Sequence, residues 1–326
     1  MSFSASSQYG NGSLSGVKNE TLRHTWILYY LFVILSTFIG DISILVASIK
    51  FKVFKLHNFI VTIMQHIAVC DLAVCTFAVI PRVIALMSDS RILGEQFCMI
   101  QPYITYYLGT ACLLLTCSMA VGKLSILKFP IRSRYLTAEK SHQLCAVVWA
   151  VSWNVPITFL DGVNYAFFDY RTYSCEFYPN NYSSLLIATG LNLLVPIIII
   201  VVCTGFILTH LLKARRAARR SGGVRRWQGT VTTMITAVVY TIAVLPLTFY
   251  FLTPSPETNS KSSDLTFFHG HYYKFATSIF LVNILTNFFL NGLTVASFRD
   301  FLISLMVRIR SIFFTPNIEI FPNAPR

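Results

Sequence analysis

Acidic residues are scarce. The 326-residue chain carries only 13 Asp and Glu, and none falls between Glu176 and Glu257. Charged residues of both signs make up 12%, about half the share of a soluble domain. That excludes a disordered chain and an ordinary soluble enzyme. The eight cysteines are scattered and no Cys-x-x-Cys pair occurs, which excludes a disulfide-rich mini-protein and argues against a zinc site. No phosphate-cradling glycine loop, nucleophile–base motif or hydrolase-type acid pair stands out, so an enzyme is not expected. The first 25 residues are polar and Ser-rich and lack an apolar stretch. No cleavable signal peptide is therefore expected, and the first apolar run would serve as signal anchor.

What is present is long apolar sequence. Hydrophobic residues reach 55% and the mean hydropathy is +0.62. A bilayer-crossing helix needs about 20 mostly apolar residues, because its backbone must bond internally. Seven such runs lie at roughly 26–49, 59–87, 98–127, 143–162, 184–212, 228–252 and 272–297. They are too long for buried soluble helices and lack the alternation of barrel strands. The predicted fold is an all-α membrane protein, a seven-transmembrane helix bundle. Residues 1–25 form an outer N-terminal segment, 26–298 the bundle, and 299–326 a short amphipathic helix and tail.

The excess of base over acid, net +13, has a clear distribution. Lys50, Lys52 and Lys55 follow the first run, and Lys123, Lys128, Arg132, Arg134 and Lys140 surround the end of the third. Lys213, Arg215, Arg216, Arg219, Arg220, Arg225 and Arg226 follow the fifth, and Arg299, Arg308, Arg310 and Arg326 the seventh. Positive charge marks the cytoplasmic side. The N-terminus is then outside, in a multi-pass protein of the plasma membrane. The sequons at Asn11, Asn19 and Asn181 all fall on the side assigned as extracellular, as glycosylation sites must. The run Lys213–Arg226 reads as a solvated basic loop near anionic lipid, not as a nucleic-acid patch. Residues Thr253–Gly270, with Ser, Pro and charges, read as an outer loop.

Individual residues narrow the class. The second run contains Ile67-Ala68-Val69-Cys70-Asp71-Leu72, and Cys98 opens the third after Leu93-Gly94. Trp149 is central in the fourth, Pro196 and Pro246 lie in the fifth and sixth, Pro130 follows Lys123 by seven residues, and Phe298-Arg299 begins an amphipathic stretch. In this order and spacing the chain resembles a rhodopsin-like (class A) G-protein-coupled receptor over about residues 26–312. The resemblance implies an extracellular ligand, a heterotrimeric G protein at the inner face, surrounding membrane lipid and an eighth helix. No nucleic-acid partner is expected. It also implies a disulfide between Cys98 and Cys175. These are the only cysteines at outer ends of runs, where an oxidising compartment favours pairing; two free thiols are the alternative.

The chain departs from the family pattern at its inner end. The Asp-Arg-Tyr of the family is Gly122-Lys123-Leu124, so a point charge replaces a planar fork and the adjoining acid is missing. Val244 stands for the tryptophan before Pro246, Asn287-Phe288-Phe289-Leu290-Asn291 for Asn-Pro-x-x-Tyr, and Asp41 for the asparagine of the first span. G-protein coupling is assigned to Lys123, Arg219 and Arg225. With no acid beside Lys123 in the sequence, raised basal activity is expected.

Asp41 and Asp71 are the only acids in the interior of the apolar runs, Asp161 lying at the very end of the fourth, and an intramembrane acid is a functional candidate by default. They lie about 12 and about 18 Å from the inner ends of their spans, comparable depths at which they could face each other. Asn283 and Asn287 are one helical turn apart. In the family the residues matching Asp71, Asn283 and Asn287 help bind a sodium ion. Here Cys112 replaces the serine that would join them, and sulfur is a poor ligand for a hard ion. Three readings of Asp41, Asp71, Asn283 and Asn287 stand open: a structural hydrogen-bond network, a sodium site, or a protonation switch.

The outer cavity is expected to hold the ligand through Arg82, Gln101, Thr105, Tyr106, Tyr250, Tyr273 and Lys274, with Tyr103 and Tyr107 nearby. Thr105 stands where amine receptors carry aspartate, which disfavours an amine; Leu281 stands at the retinal lysine, which disfavours an opsin. Arg82 and Lys274 suit an acidic group, although both could instead snorkel to headgroups. The aromatic stretch Tyr165–Tyr178 suggests a hairpin of a shape that the resemblance connects with peptide ligands. His269, His271 and Asp264 make a weak metal candidate, best read as solvated. His66 sits mid-span with no partner evident from the sequence. Few hydroxyls follow the seventh run and no cysteine, so arrestin capture and palmitoylation are not expected. Two rivals remain, a ligand-binding receptor that does not signal, and a transporter or channel. The second has only two mid-membrane acids and no inverted repeat to support it.

Overall fold

The computed structural model describes residues 20–50, 58–88, 94–129, 131, 135–154, 163–169, 173–179 and 190–221. A few isolated positions follow, at 238–239, 242–243, 245–246, 303–304 and 307. Four helices among the described residues are long and apolar enough to cross a membrane: Arg23–Val46, Phe59–Ser88, Gly94–Lys128 and Asn192–His210. They correspond to the first, second, third and fifth apolar runs.

Helix α1 is Glu20–Lys50. Its exposed stripe is Leu28, Leu31, Phe32, Leu35, Ile39 and Ile42, and its buried stripe is Tyr30, Val33, Thr37, Asp41 and Ile44. Both follow the three-and-four spacing of one helix face. An apolar exposed stripe, with Thr37 and Asp41 among the buried residues, inverts the soluble pattern, as a lipid-facing helix requires. Thr37 Oγ1 donates to the Val33 carbonyl at 2.7 Å. Thr116, Ser152 and Thr204 make the same four-residue back-bond. Each hydroxyl is thus satisfied by its own helix.

The second span is α2 (Asn58–Val74), one wide π turn (Cys75–Val79) and α3 (Ile80–Ser88). The interruption has an identifiable cause. Pro81 has no amide to give the carbonyl four residues back, that of Phe77. Gln101 Nε2 reaches across from the third span and donates to the Phe77 carbonyl at 3.3 Å, while the Ile80 amide bonds to Cys75. Helix α4 (Gly94–Lys128) begins at Gly94 with φ +75°, a left-handed conformation that glycine alone adopts without strain. Helix α5 is Ala138–Ser152, capped by Thr137, which accepts from the Lys140 amide. The strands β1 (Val163–Asp169) and β2 (Ser174–Pro179) pair antiparallel, the hairpin expected from the aromatic stretch. Helix α6 (Val195–Ser221) follows a second π turn at Gly190–Leu194.

Helix α6 corrects one expectation. The basic stretch after the fifth run was expected to be a loop, yet the helix continues to Ser221. Lys213-Ala-Arg-Arg-Ala-Ala-Arg-Arg220 is built from strong helix formers. The helix therefore extends well past the membrane-length portion ending at His210.

Packing centres on the second span, which touches α1, α4 and α5. The main core joins Tyr30 and Val33 of α1 to Phe59, Ile63, Ile67, Cys70 and Val74 of α2. From the other side it takes in Leu108, Cys112, Leu115 and Met119 of α4 with Cys145 and Val148 of α5. A separate cluster joins Leu113, Cys117 and Ala120 of α4 to Ile197, Ile200 and Cys203 of α6. We expect Gln101→Leu to lower stability by about 1–2 kcal/mol, because it strips the Phe77 carbonyl of its donor. Denaturant unfolding in detergent micelles measures this; an unchanged midpoint would remove the role given to Gln101.

Candidate functional site

At the end expected to face outward, Cys98 and Cys175 are bonded, with Cα atoms 5.2 Å apart. The bond ties β2 to the first turns of α4. Pro102 withholds the amide that would otherwise bond the Cys98 carbonyl, so covalent anchoring falls where the helix itself is weakest. Tyr173, at the hairpin turn, adopts φ +52° and is buried in the main core. A bulky residue in that region is uncommon and marks a constrained position. Sequence reasoning passed over Tyr173, and nothing in its neighbours gives it away.

The expected ligand residues divide. Arg82 lies against α1, its guanidinium 5.8 Å from the Tyr30 ring centre, where Trp26 stacks on Tyr30 at 5.9 Å. Gln101 is buried and committed to the Phe77 carbonyl. The Thr105 hydroxyl donates to the Gln101 carbonyl at 2.9 Å. Tyr106 is half-buried on α4. The structure thus brings Gln101 and Thr105 together as scaffold, and sets Arg82 beside the aromatic outer end of α1. Tyr250, Tyr273 and Lys274 lie outside the described residues, as do Asn11, Asn19, Asn181 and Arg225.

In mid-membrane Asp41 and Asp71 are both buried, at 2% and 1% exposure. They are electrostatic neighbours, and Cys75 lies within the field of both. The Cys112 thiol donates to Asp71 Oδ1 at 3.4 Å, and the Cys70 thiol donates to the Leu108 carbonyl at 3.1 Å. Asp41 Oδ2 is buried and has no hydrogen-bond partner among the described residues. The sequence held a signal for Cys75: it is four residues from Asp71, one turn along the same face. Asn283 and Asn287 lie outside the described residues.

His66 has partners after all. Trp149 Nε1 donates to His66 Nδ1 at 3.2 Å, and His66 Nε2 lies 3.4 Å from His142 Nδ1. An indole nitrogen only donates, so His66 Nδ1 must accept and its Nε2 must carry the proton. A metal at His66 Nε2 would need that proton removed, which argues against a metal between the two rings. No group of three metal-ligating side chains occurs among the described residues. His269, His271 and Asp264 lie outside them.

At the opposite end, expected to face the cytoplasm, α4 presents two faces. Cys112, Leu115, Met119 and Gly122 run along the side of α2, while Leu113, Cys117, Ala120 and Leu124 face α6. Lys123, half-buried, falls between these stripes by helical angle. Lys128 lies 6.0 Å from the Phe206 ring centre of α6. Arg219 lies on the basic extension of α6.

A seven-span pattern with this core has a counterpart. The family model of the 7 transmembrane receptor (rhodopsin family) matches residues 42–292. The chain belongs to that family. Its fold is accordingly the seven-helix bundle, and the protein is a multi-pass membrane receptor, not an enzyme. No curated protein matches the chain.

Receptors of the family suggest a sodium ion near Asp71. The described donors fit it poorly, because a thiol occupies the near side of the carboxylate where a hard ion needs oxygen. The receptor's nucleotide exchange should therefore be equal in sodium chloride and in the chloride of a bulky organic cation. Strong sodium inhibition that Asp71→Asn abolishes would contradict this reading.

Proposed function

We propose that this receptor sits in the plasma membrane with its N-terminus outside and passes an extracellular ligand signal to a heterotrimeric G protein through Lys123. Ligand binding favours a packing in which the inner end of α6 moves away from α4, opening a cleft beside Lys123. This is a shift between two states, driven by the ligand's greater affinity for one of them. The observation that carries the reading is the placement of Lys123 between two unlike faces of α4, one hydrogen-bonded and one purely apolar. On one side α4 is bonded to α2 through Asp71–Cys112 and the Cys70–Leu108 contact. On the other it meets α6 through an apolar cluster of small and aliphatic side chains.

The domain reading is the receptor bundle over 26–298, an outer segment 1–25, and an amphipathic helix and tail over 299–326. Ile303 and Val307 are helical, exposed and four residues apart, which suits a helix resting its apolar face on the inner leaflet. The basic extension of α6, with Arg219, and the residues that follow it, with Arg225, offer a cationic surface to the same partner and to anionic lipid. For the ligand we favour a peptide with an acidic or C-terminal carboxylate group. Arg82, beside an aromatic cluster, suits such a group, and Lys274, Tyr106, Tyr250 and Tyr273 are assigned to the same cavity. Gly122 favours a second reading, a receptor that binds ligand without coupling, because the acid usual at that position is missing.

The decisive test is GDP–GTP exchange on a panel of G proteins, with purified receptor in lipid discs and no ligand. We expect measurable basal exchange that Lys123→Ala abolishes. Exchange no faster than with empty discs, in the presence of demonstrated ligand binding, would favour the non-coupling reading.

A further inference from the structure

Gly122 sits inside a helix, where glycine is less favourable than alanine by about 1 kcal/mol. Something must favour it there. A Cβ placed on Gly122 would stand 2.5 Å from Phe59 Cε1, 3.3 Å from Phe59 Cδ1 and 3.5 Å from Ile60 Cδ1. The first distance is far inside van der Waals contact. The Phe59 ring therefore fills the volume that any side chain at position 122 would claim.

Phe59 has little room to yield. It is 5% exposed and belongs to the main core. Its backbone is held as well, because the buried Ser141 of α5 donates its hydroxyl to the Phe59 carbonyl at 2.8 Å. Phe59 is thus a knob at the first turn of α2, fixed by α5 from behind and seated in a hole that α4 makes by lacking a side chain. Small residues at helix crossings in membranes permit just this close approach. Gly122 ends the stripe Cys112, Leu115, Met119 that faces α2, and Lys123 is its immediate neighbour.

We infer that Phe59 is a positioning residue for Lys123: seated on Gly122, it holds the Lys123 turn of α4 against α2 and α5. The inference rests on the coupling role proposed for Lys123, and adds a steric restraint at the very position where an acid would have been expected. Position 122 is occupied by a neighbour's ring, so resting geometry there is set by packing.

The test is a size-compensation cycle in full-length receptor in lipid discs. Gly122→Ala introduces the colliding Cβ, and Phe59→Leu deletes the Cε1 that it would meet. Two readouts are taken, the acylation rate of the Lys123 amine, resolved by peptide mass spectrometry, and basal nucleotide exchange. We expect Gly122→Ala to raise Lys123 acylation several-fold and to raise exchange, and Gly122→Ala with Phe59→Leu to bring both back toward wild type. Unchanged Lys123 acylation in Gly122→Ala, or an increase that Phe59→Leu does not relieve, would overturn the inference. Acylation that follows the cycle while no variant catalyses exchange would support the positioning role and reject the coupling role, so the two fail separately. Should Gly122→Ala not fold, the compensated pair must still fold and Phe59→Ala must raise Lys123 acylation; failure of either overturns the proposal.

Discussion

A polar group inside hydrocarbon must find its partner within the protein, and among the described residues several such partners meet on the second span. From its inner to its outer end, the Phe59 carbonyl takes Ser141 and Gln65 bonds Ser48 of α1 at 2.7 Å. His66 then takes Trp149, the Cys70 thiol finds Leu108, Asp71 takes Cys112, and the Phe77 carbonyl takes Gln101. Interhelical bonds in membranes average about 0.6 kcal/mol each, so no one of them holds the bundle. Their spacing, a contact at nearly every turn, fixes the register of α1, α4 and α5 on one spine. Helix α6 meets α4 differently, through an apolar cluster and through Lys128 over Phe206. A hydrogen-bonded interface on one side of α4 and an apolar one on the other is the asymmetry on which the proposed opening rests.

Much of this architecture is legible locally. Run length predicts the spans, because bilayer thickness acts on short segments. The hairpin follows from β-forming aromatics around Cys175, and the disulfide from the scarcity of cysteine at outer ends. The helical path of α6 through its arginines was also readable, since Ala, Leu, Lys and Arg form helix whatever side of the membrane they occupy; charge alone suggested a loop. Other features depend on residues distant in the sequence. The role of Gln101 requires Pro81 to disarm a carbonyl on a different helix. The partners of His66 come from α5. The fit of Phe59 to Gly122 is a matter of shape between α2 and α4, and neither residue signals it alone.

The inner end shows why a missing motif is an ambiguous sign. Without the acid usual at position 122, Lys123 has lost a neighbour that holds the cation at rest in the wider family. Read from sequence, that loss points to a receptor without a brake or without a function. The structure supplies a third meaning. Glycine is required there by the ring of Phe59, and the same contact restrains the turn that carries Lys123. At position 122 a steric contact stands where the family carries an acid, and its strength depends on van der Waals fit.

The central claim, that the seat of Phe59 on Gly122 sets the resting position of the Lys123 turn, is tested most directly by restoring the acid. Basal GDP–GTP exchange would be compared between wild-type receptor and Gly122→Asp in lipid discs, with folded receptor quantified in each. The account predicts higher basal exchange in Gly122→Asp, because the carboxylate must displace Phe59 before it can reach Lys123. Exchange that falls below the wild-type level, as a new ion pair between the introduced carboxylate and Lys123 would cause, contradicts it.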